Sequence, residues 1–138
     1  SPVEVKYITY NPNLFLKDNI SNLFIKFIIL INEKNIINIQ ECPWINQNLK
    51  LKILENLDKI KVMPIMEVTS VRILENESEN VKAEIISKHL ESDSYKILDI
   101  FVFEKRNFSD ENLILKHINV KEYTVNFPDA IDYIKMEK

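Results

Sequence analysis

The chain has 138 residues, 46% hydrophobic and 28% charged, with a net charge of −3. This is the composition of one globular domain, long enough to bury roughly two-thirds of its unfolded surface. Sixteen Lys but only Arg72 and Arg106, in a slightly acidic chain, lack the concentrated basic charge and Arg forks of a nucleic-acid binder, so no nucleic-acid partner is expected.

Glycine is absent. Walker and Rossmann phosphate loops are therefore excluded, and tight glycine hairpins must be replaced by longer turns or by Asn and Asp in the left-handed region. Cys42 is the single cysteine, so neither a disulfide framework nor a cysteine metal cluster is expected. The natural setting is then a reducing intracellular compartment, and no metal or cofactor is implied. Sixteen Asn and twenty-two Ile read as the codon bias of an AT-rich genome, which also accounts for Asn-x-Ser sequons at Asn19, Asn76 and Asn107. The start at Ser1 reads as a mature or trimmed form. The longest apolar run, Leu23–Ile31, contains Lys26 and falls far short of the ~20 residues of a membrane span.

In chain order, residues 1–17 read as an N-terminal arm or edge strand, with a turn signal at Asn11-Pro12-Asn13. Asp18 is placed to cap a helix over 19–32, whose stripe is Ile20, Leu23, Phe24, Phe27, Ile28 and Ile31. Residues 33–40 form a short helical piece, closed by Cys42-Pro43. Asn46 caps a helix over 47–61 with Leu49, Ile53, Leu57 and Ile60 on one face. The period then becomes alternating. Strands are predicted over 65–74, with a bulge near Thr69-Ser70, and over 81–90, with Val81, Ala83 and Ile85 inward. Two longer strands follow over 95–105 and 113–125, the first apolar on both faces and therefore expected in mid-sheet. A terminal helix begins at Pro128. Helices before strands give an α+β domain over 18–138, with the N-terminal helices packed on a curved four-stranded antiparallel sheet.

Several stretches carry a resemblance. Ile31-Asn32-Glu33-Lys34-Asn35-Ile36 is similar to the end of a first helix turning into a second. Pro43-Trp44-Ile45, followed by Leu49, Ile53 and Leu57, is similar to a proline-led amphipathic helix. Met66-Glu67-Val68 through Val81–Ile85 resembles a first hairpin, and Leu113–Val120 a last strand, with Ile118 and Asn119 where other members carry an aromatic and an acid. Over about residues 18–127 the pattern resembles the nuclear transport factor 2-like superfamily, within it the C-terminal domain of the mitochondrial import-motor anchor and its mitochondrial ribosomal relative. The resemblance implies a cone-shaped, cystatin-like fold and a mitochondrial matrix setting, in protein translocation or ribosome association. The superfamily hosts both enzymes and binding modules, so the fold does not choose between them.

Two residues are candidates for catalysis. Asp99 shares parity with Ile97, Phe101 and Phe103; in an apolar concavity its pKa would rise and it could serve as a general base. His117, in parity with Leu113 and Leu115, could pair with it across strands. The plainer readings are a bonded sheet residue for each. Trp44 reads as a pocket wall or binding anchor, or as a packing lid over the helix–sheet seam. Lys50, Lys52, Lys59 and Lys61 raise a membrane surface as partner but alternate with Glu55 and Asp58, as on a solvated helix face. The broadest signal is the row Leu98, Ile100 and Val102, opposite in parity to Asp99. Helices can cover only one face of this strand, so the other should be buried by a second copy, another protein subunit or a ligand. The expectation is a non-enzymatic protein-interaction or scaffolding domain; the alternative is a small-molecule isomerase, dehydratase or carrier with a pocket acid on the sheet.

Overall fold

The computed structural model describes residues 12–60, 62, 66–90 and 96–123. Helix α1 spans Pro12–Glu33, α2 Ile36–Gln40 and α3 Gln47–Glu55; strands β1 Met66–Asn76, β2 Asn80–His89, β3 Lys96–Lys105 and β4 Leu113–Tyr123 follow. The domain is α+β, with its helices N-terminal to a four-stranded antiparallel open sheet of order β1-β2-β3-β4.

Helix α1 starts seven residues earlier than Asp18 predicts. Pro12 occupies its first position, where the fixed φ suits the helix and the missing N–H costs nothing. The supposed turn at Asn11-Pro12-Asn13 is thus a helix entry, and 12–17 belong to α1 rather than to an arm. Residues 1–11, like the expected helix after Pro128, lie outside the described residues. The earlier start adds Leu16 to a buried stripe that continues through Ile20, Phe24, Phe27 and Ile31. The stripe ends at Lys34, whose φ of 51° takes the left-handed position where glycine is usual. Asn35 then caps α2, its side chain accepting from the Asn38 N–H at 3.1 Å.

Asn46 caps α3 as the sequence indicates, accepting from the Asn48 N–H at 2.8 Å. The helix is shorter than its apolar spacing predicts. The Asn56 side chain donates to the Lys52 carbonyl at 2.8 Å, a local bond that competes with helix continuation. A 3₁₀ turn over Leu57–Lys59 follows, and it still buries Leu57 and Ile60.

The predicted bulge in β1 is present between Val68 and Ser70, with a second irregularity between Ile73 and Glu75. Strand β3 lies in mid-sheet, paired with β2 and β4. Its inward face holds Phe101, whose ring is 5.4 Å from Phe24 and 5.8 Å from Phe27 of α1. Phe103 extends the cluster at 6.1 Å from Phe101. These tilted and edge-on contacts fix α1 over β3. Between β3 and β4, left-handed backbone falls on Asn107 (φ 56°), as an Asn-rich turn predicts, and also on Phe108 (φ 57°).

The aromatic seam predicts a sharp contrast between two phenylalanines. Phe101→Ala should lower unfolding free energy by about 3–5 kcal/mol. Phe108→Ala, at a side chain 69% exposed, should change it by less than about 0.5 kcal/mol. Urea unfolding at one pH measures both.

Candidate functional site

The segment from Cys42 to Asn46 carries Trp44 to the edge of the sheet. The Leu115 N–H donates to the Trp44 carbonyl at 2.7 Å and the Asn46 N–H to the Leu115 carbonyl at 2.7 Å. This is a short parallel bridge, Ile45 to Leu115, on the outer edge of β4. Ile45 is buried, and Trp44 is half-buried against the core cluster. The Asn46 amide donates to Glu104 Oε1 at 2.7 Å, so one side chain joins the α3 cap to β3. Cys42 is buried, and that burial pushes its thiol pKa up. It packs as a small apolar residue.

Trp44 and Pro43 form a wall shared by two surface cavities. One, of about 480 Å³, lies between the C-terminal half of α1 (Lys26, Ile29, Leu30, Glu33) and Glu41–Trp44. The other, of about 300 Å³, runs from Asn19 and Lys26 past Trp44 to Arg106 and Leu113. Its far wall is the loop after β3, which is held firmly. The Arg106 N–H donates to the Asn112 carbonyl at 2.8 Å, Asn19 Nδ2 to the Asp110 carbonyl at 2.8 Å, and Lys105 pairs with Asp110 at 2.9 Å. Lys105 Nζ also donates to the Asn76 side chain. A third cavity, of about 450 Å³, lies below Pro43 beside Lys50, Glu104 and Arg106. Lys50 is not on a solvated face as its helix pattern indicates: it is 9% exposed and donates to the Gln40 carbonyl at 2.9 Å.

Asp99 occupies the inward face of β3, between Ile85 of β2 and Val120 of β4. It is fully buried, neither carboxylate oxygen has a hydrogen-bond partner among the described residues, and burial raises its pKa to about 8. Ser87 faces the same side with its Oγ likewise buried and unpartnered. The candidate pairing with His117 does not form. His117 is exposed and opposes Val102, whose side chain faces away from that of Asp99. The cause is a shift in register: Val102 pairs with His117 but Phe103 with Leu115, so Lys116 is an extra residue in β4. One inserted residue reverses parity, and His117 turns away from the face of Leu113 and Leu115. Asp99 lines none of these three cavities.

Leu98, Ile100 and Val102 share the outer face of the sheet, opposite to the helices. Ile100 is only 5% exposed, while Leu98 and Val102 are half-buried. Charge flanks the row on the β1–β2 side, where Arg72 pairs with Glu84 at 2.9 Å and Lys88 approaches Glu67 at 3.8 Å. Trp44 belongs to the helical side of the sheet, so these four residues form two surfaces rather than one. The sequence marked Trp44 but not its neighbours Ile29, Glu33 and Glu41, which long-range packing alone brings to it.

Among the described residues no group of side chains is arranged to hold a metal, and no helix is long and apolar enough to cross a membrane. Compared with protein-family models, curated proteins and solved structures, the chain matches none.

The unpartnered acid makes stability depend on pH in a defined direction. Folding raises the Asp99 pKa from 3.8 to about 8, so the folded state holds the extra proton between those values and loses stability as pH rises through them. The limiting slope is about 1.4 kcal/mol per pH unit. Asp99→Asn, which mimics the neutral acid, should abolish that component. Urea unfolding of both proteins from pH 4 to pH 9 should show the variant gaining on the wild type as pH rises; parallel curves would contradict the assignment.

Proposed function

We propose that this chain is a non-enzymatic protein-interaction or scaffolding domain. The observation that carries the reading is Trp44: a large aromatic left half-buried, on a wall shared by two open cavities, and held there by backbone bonds to β4. Rigid aromatic anchors in preformed depressions are the residues on which protein interfaces concentrate their binding energy. The outer row is a second surface for the same role at Leu98 and Val102, which are half-buried, where a protein partner or a second copy would add cover; Ile100 between them is already buried within the chain. The finer architecture we propose is that of the nuclear transport factor 2-like or cystatin-like cone, supported by the antiparallel meander with α1 packed across its inward face. The setting we propose, mitochondrial protein translocation or ribosome association, rests on sequence resemblance alone.

The second reading, a small-molecule isomerase, dehydratase or carrier, is favoured by one observation: the buried carboxyl of Asp99 lacks a partner among the described residues. Against it stands the outward turn of His117, which leaves the acid without the expected cross-strand base. An acid with a pKa of about 8 is mostly protonated at neutral pH, which suits a hydrogen-bond donor better than a base.

Size fractionation of a native extract separates these readings. The interaction reading expects the protein in an assembly larger than itself. Trp44→Ala or Val102→Lys, each shown to remain folded, should release it to its own mass. A wild-type protein that runs alone under every condition, with Asp99→Asn abolishing small-molecule binding, would favour the second reading.

A further inference from the structure

We infer that the groove beside Trp44 receives a protein segment carrying a Lys or Arg next to a bulky apolar side chain, the cation seated between Glu33 and Glu41. This deepens the interaction reading and rests on it. The groove of about 480 Å³ has an apolar centre made by Ile29, Leu30, Pro43 and Trp44. Ile29 is 52% exposed, so the lining is already presented to solvent without rearrangement. Its ends differ in charge. At one end, Glu33 closes α1 and Glu41 follows α2. Both carboxylates are exposed, and neither is ion-paired with another described residue.

The backbone reinforces this negative end. Helix α1 has 22 residues, and its last turn contains no basic side chain. Its carbonyl terminus therefore adds negative potential close to Glu33. Lys34 follows the helix but does not line the groove. The one cation that does, Lys26, lies two turns back along α1, about 10 Å away at 1.5 Å per residue. It marks the opposite end and leaves Glu33 and Glu41 uncompensated. An aromatic face with two carboxylates at its rim matches a cationic side chain, which gains from both the ring and the charges. The apolar centre supplies the adjoining contact. An acidic segment would meet like charge at that end, which imposes a direction on the bound chain.

The test pans the 138-residue chain against a random dodecamer peptide library and then measures affinities of the enriched peptides by emission of Trp44, the single tryptophan. The enriched peptides should carry Lys or Arg beside a large apolar residue and shift that emission. They should bind about fivefold more weakly to a Glu33→Gln/Glu41→Gln variant, as expected for the loss of two exposed ion pairs. These carboxylates are exposed, so the variant should fold normally. Enriched peptides that depend on Trp44 but lack basic residues, or that bind the double variant equally well, would overturn the inference and leave the interaction reading standing. Absence of any Trp44-dependent enrichment would overturn both. Dimerisation of the chain abolished by the double variant would assign the groove to a second copy and overturn the inference as well.

Discussion

Two backbone hydrogen bonds, between Leu115 and the Trp44–Asn46 segment, connect the helical layer to the sheet edge. Without them the chain between α2 and α3 would cross the end of the sheet as a free loop, and the edge of β4 at Leu115 would stand unpaired. With them, Ile45 is drawn into the core, and Trp44 is fixed beside α1 with its ring only partly covered. Asn46 consolidates the junction twice over, as the cap of α3 and as a donor to Glu104. Much of the surface that distinguishes this domain follows from that one seam. The groove along α1, the depression running to Arg106 and the cavity beside Lys50 all meet at Pro43.

Local pattern made most of the fold legible, because each element has its own period and its own stop signals. The stripe of α1, the cap at Asn46, the slip at Thr69-Ser70 and the inward alternation of Val81, Ala83 and Ile85 are all encoded by near neighbours. Pro12 was misleading for a physical reason: the same residue begins turns and helices, and only Leu16, one turn further on, distinguishes them. His117 failed for another. Parity along a strand survives only as far as the next bulge, and Lys116 carries no mark in sequence that it is the extra residue. Asp99 is on β3, whose alternation through Phe101 and Phe103 runs without a shift against β2, so its burial could be read. Its lack of any partner could not, since that depends on what α1 and β4 present to it.

Asp99 and Ser87 expose a tension within the fold. A buried polar group without a partner costs about 1–3 kcal/mol, and here two lie near one another on the inward face. Apolar residues at both places would pack better, so the present pair lowers stability relative to a simple core. Protonation relieves part of that cost at Asp99, because the neutral acid loses far less on leaving water than the carboxylate does. The consequence is a domain whose interior favours mildly acidic conditions, while its exposed carboxylates face ordinary solvent.

A chain without glycine also has to choose where to place left-handed backbone. Among the described residues it does so at Lys34, Asn107 and Phe108. Asn tolerates this region; a lysine and a phenylalanine pay roughly 1–2 kcal/mol each for it. The two costly positions fall next to the walls of the two cavities that share Trp44. Lys34 directly follows Glu33, which closes the acidic end of the groove, and Phe108 lies two residues beyond Arg106 in the loop that forms the opposite wall. The loop is closed by the Arg106–Asn112 backbone bond and held by bonds from Asn19 to Asp110 and from Lys105 at its base to Asn76, and α1 by its aromatic contacts with Phe101. Strain of this kind persists only where the surroundings over-determine the backbone. The walls on either side of Trp44 are therefore built as fixed boundaries, and a surface so constrained can bind a partner without first ordering itself, which removes one of the main entropic costs of association.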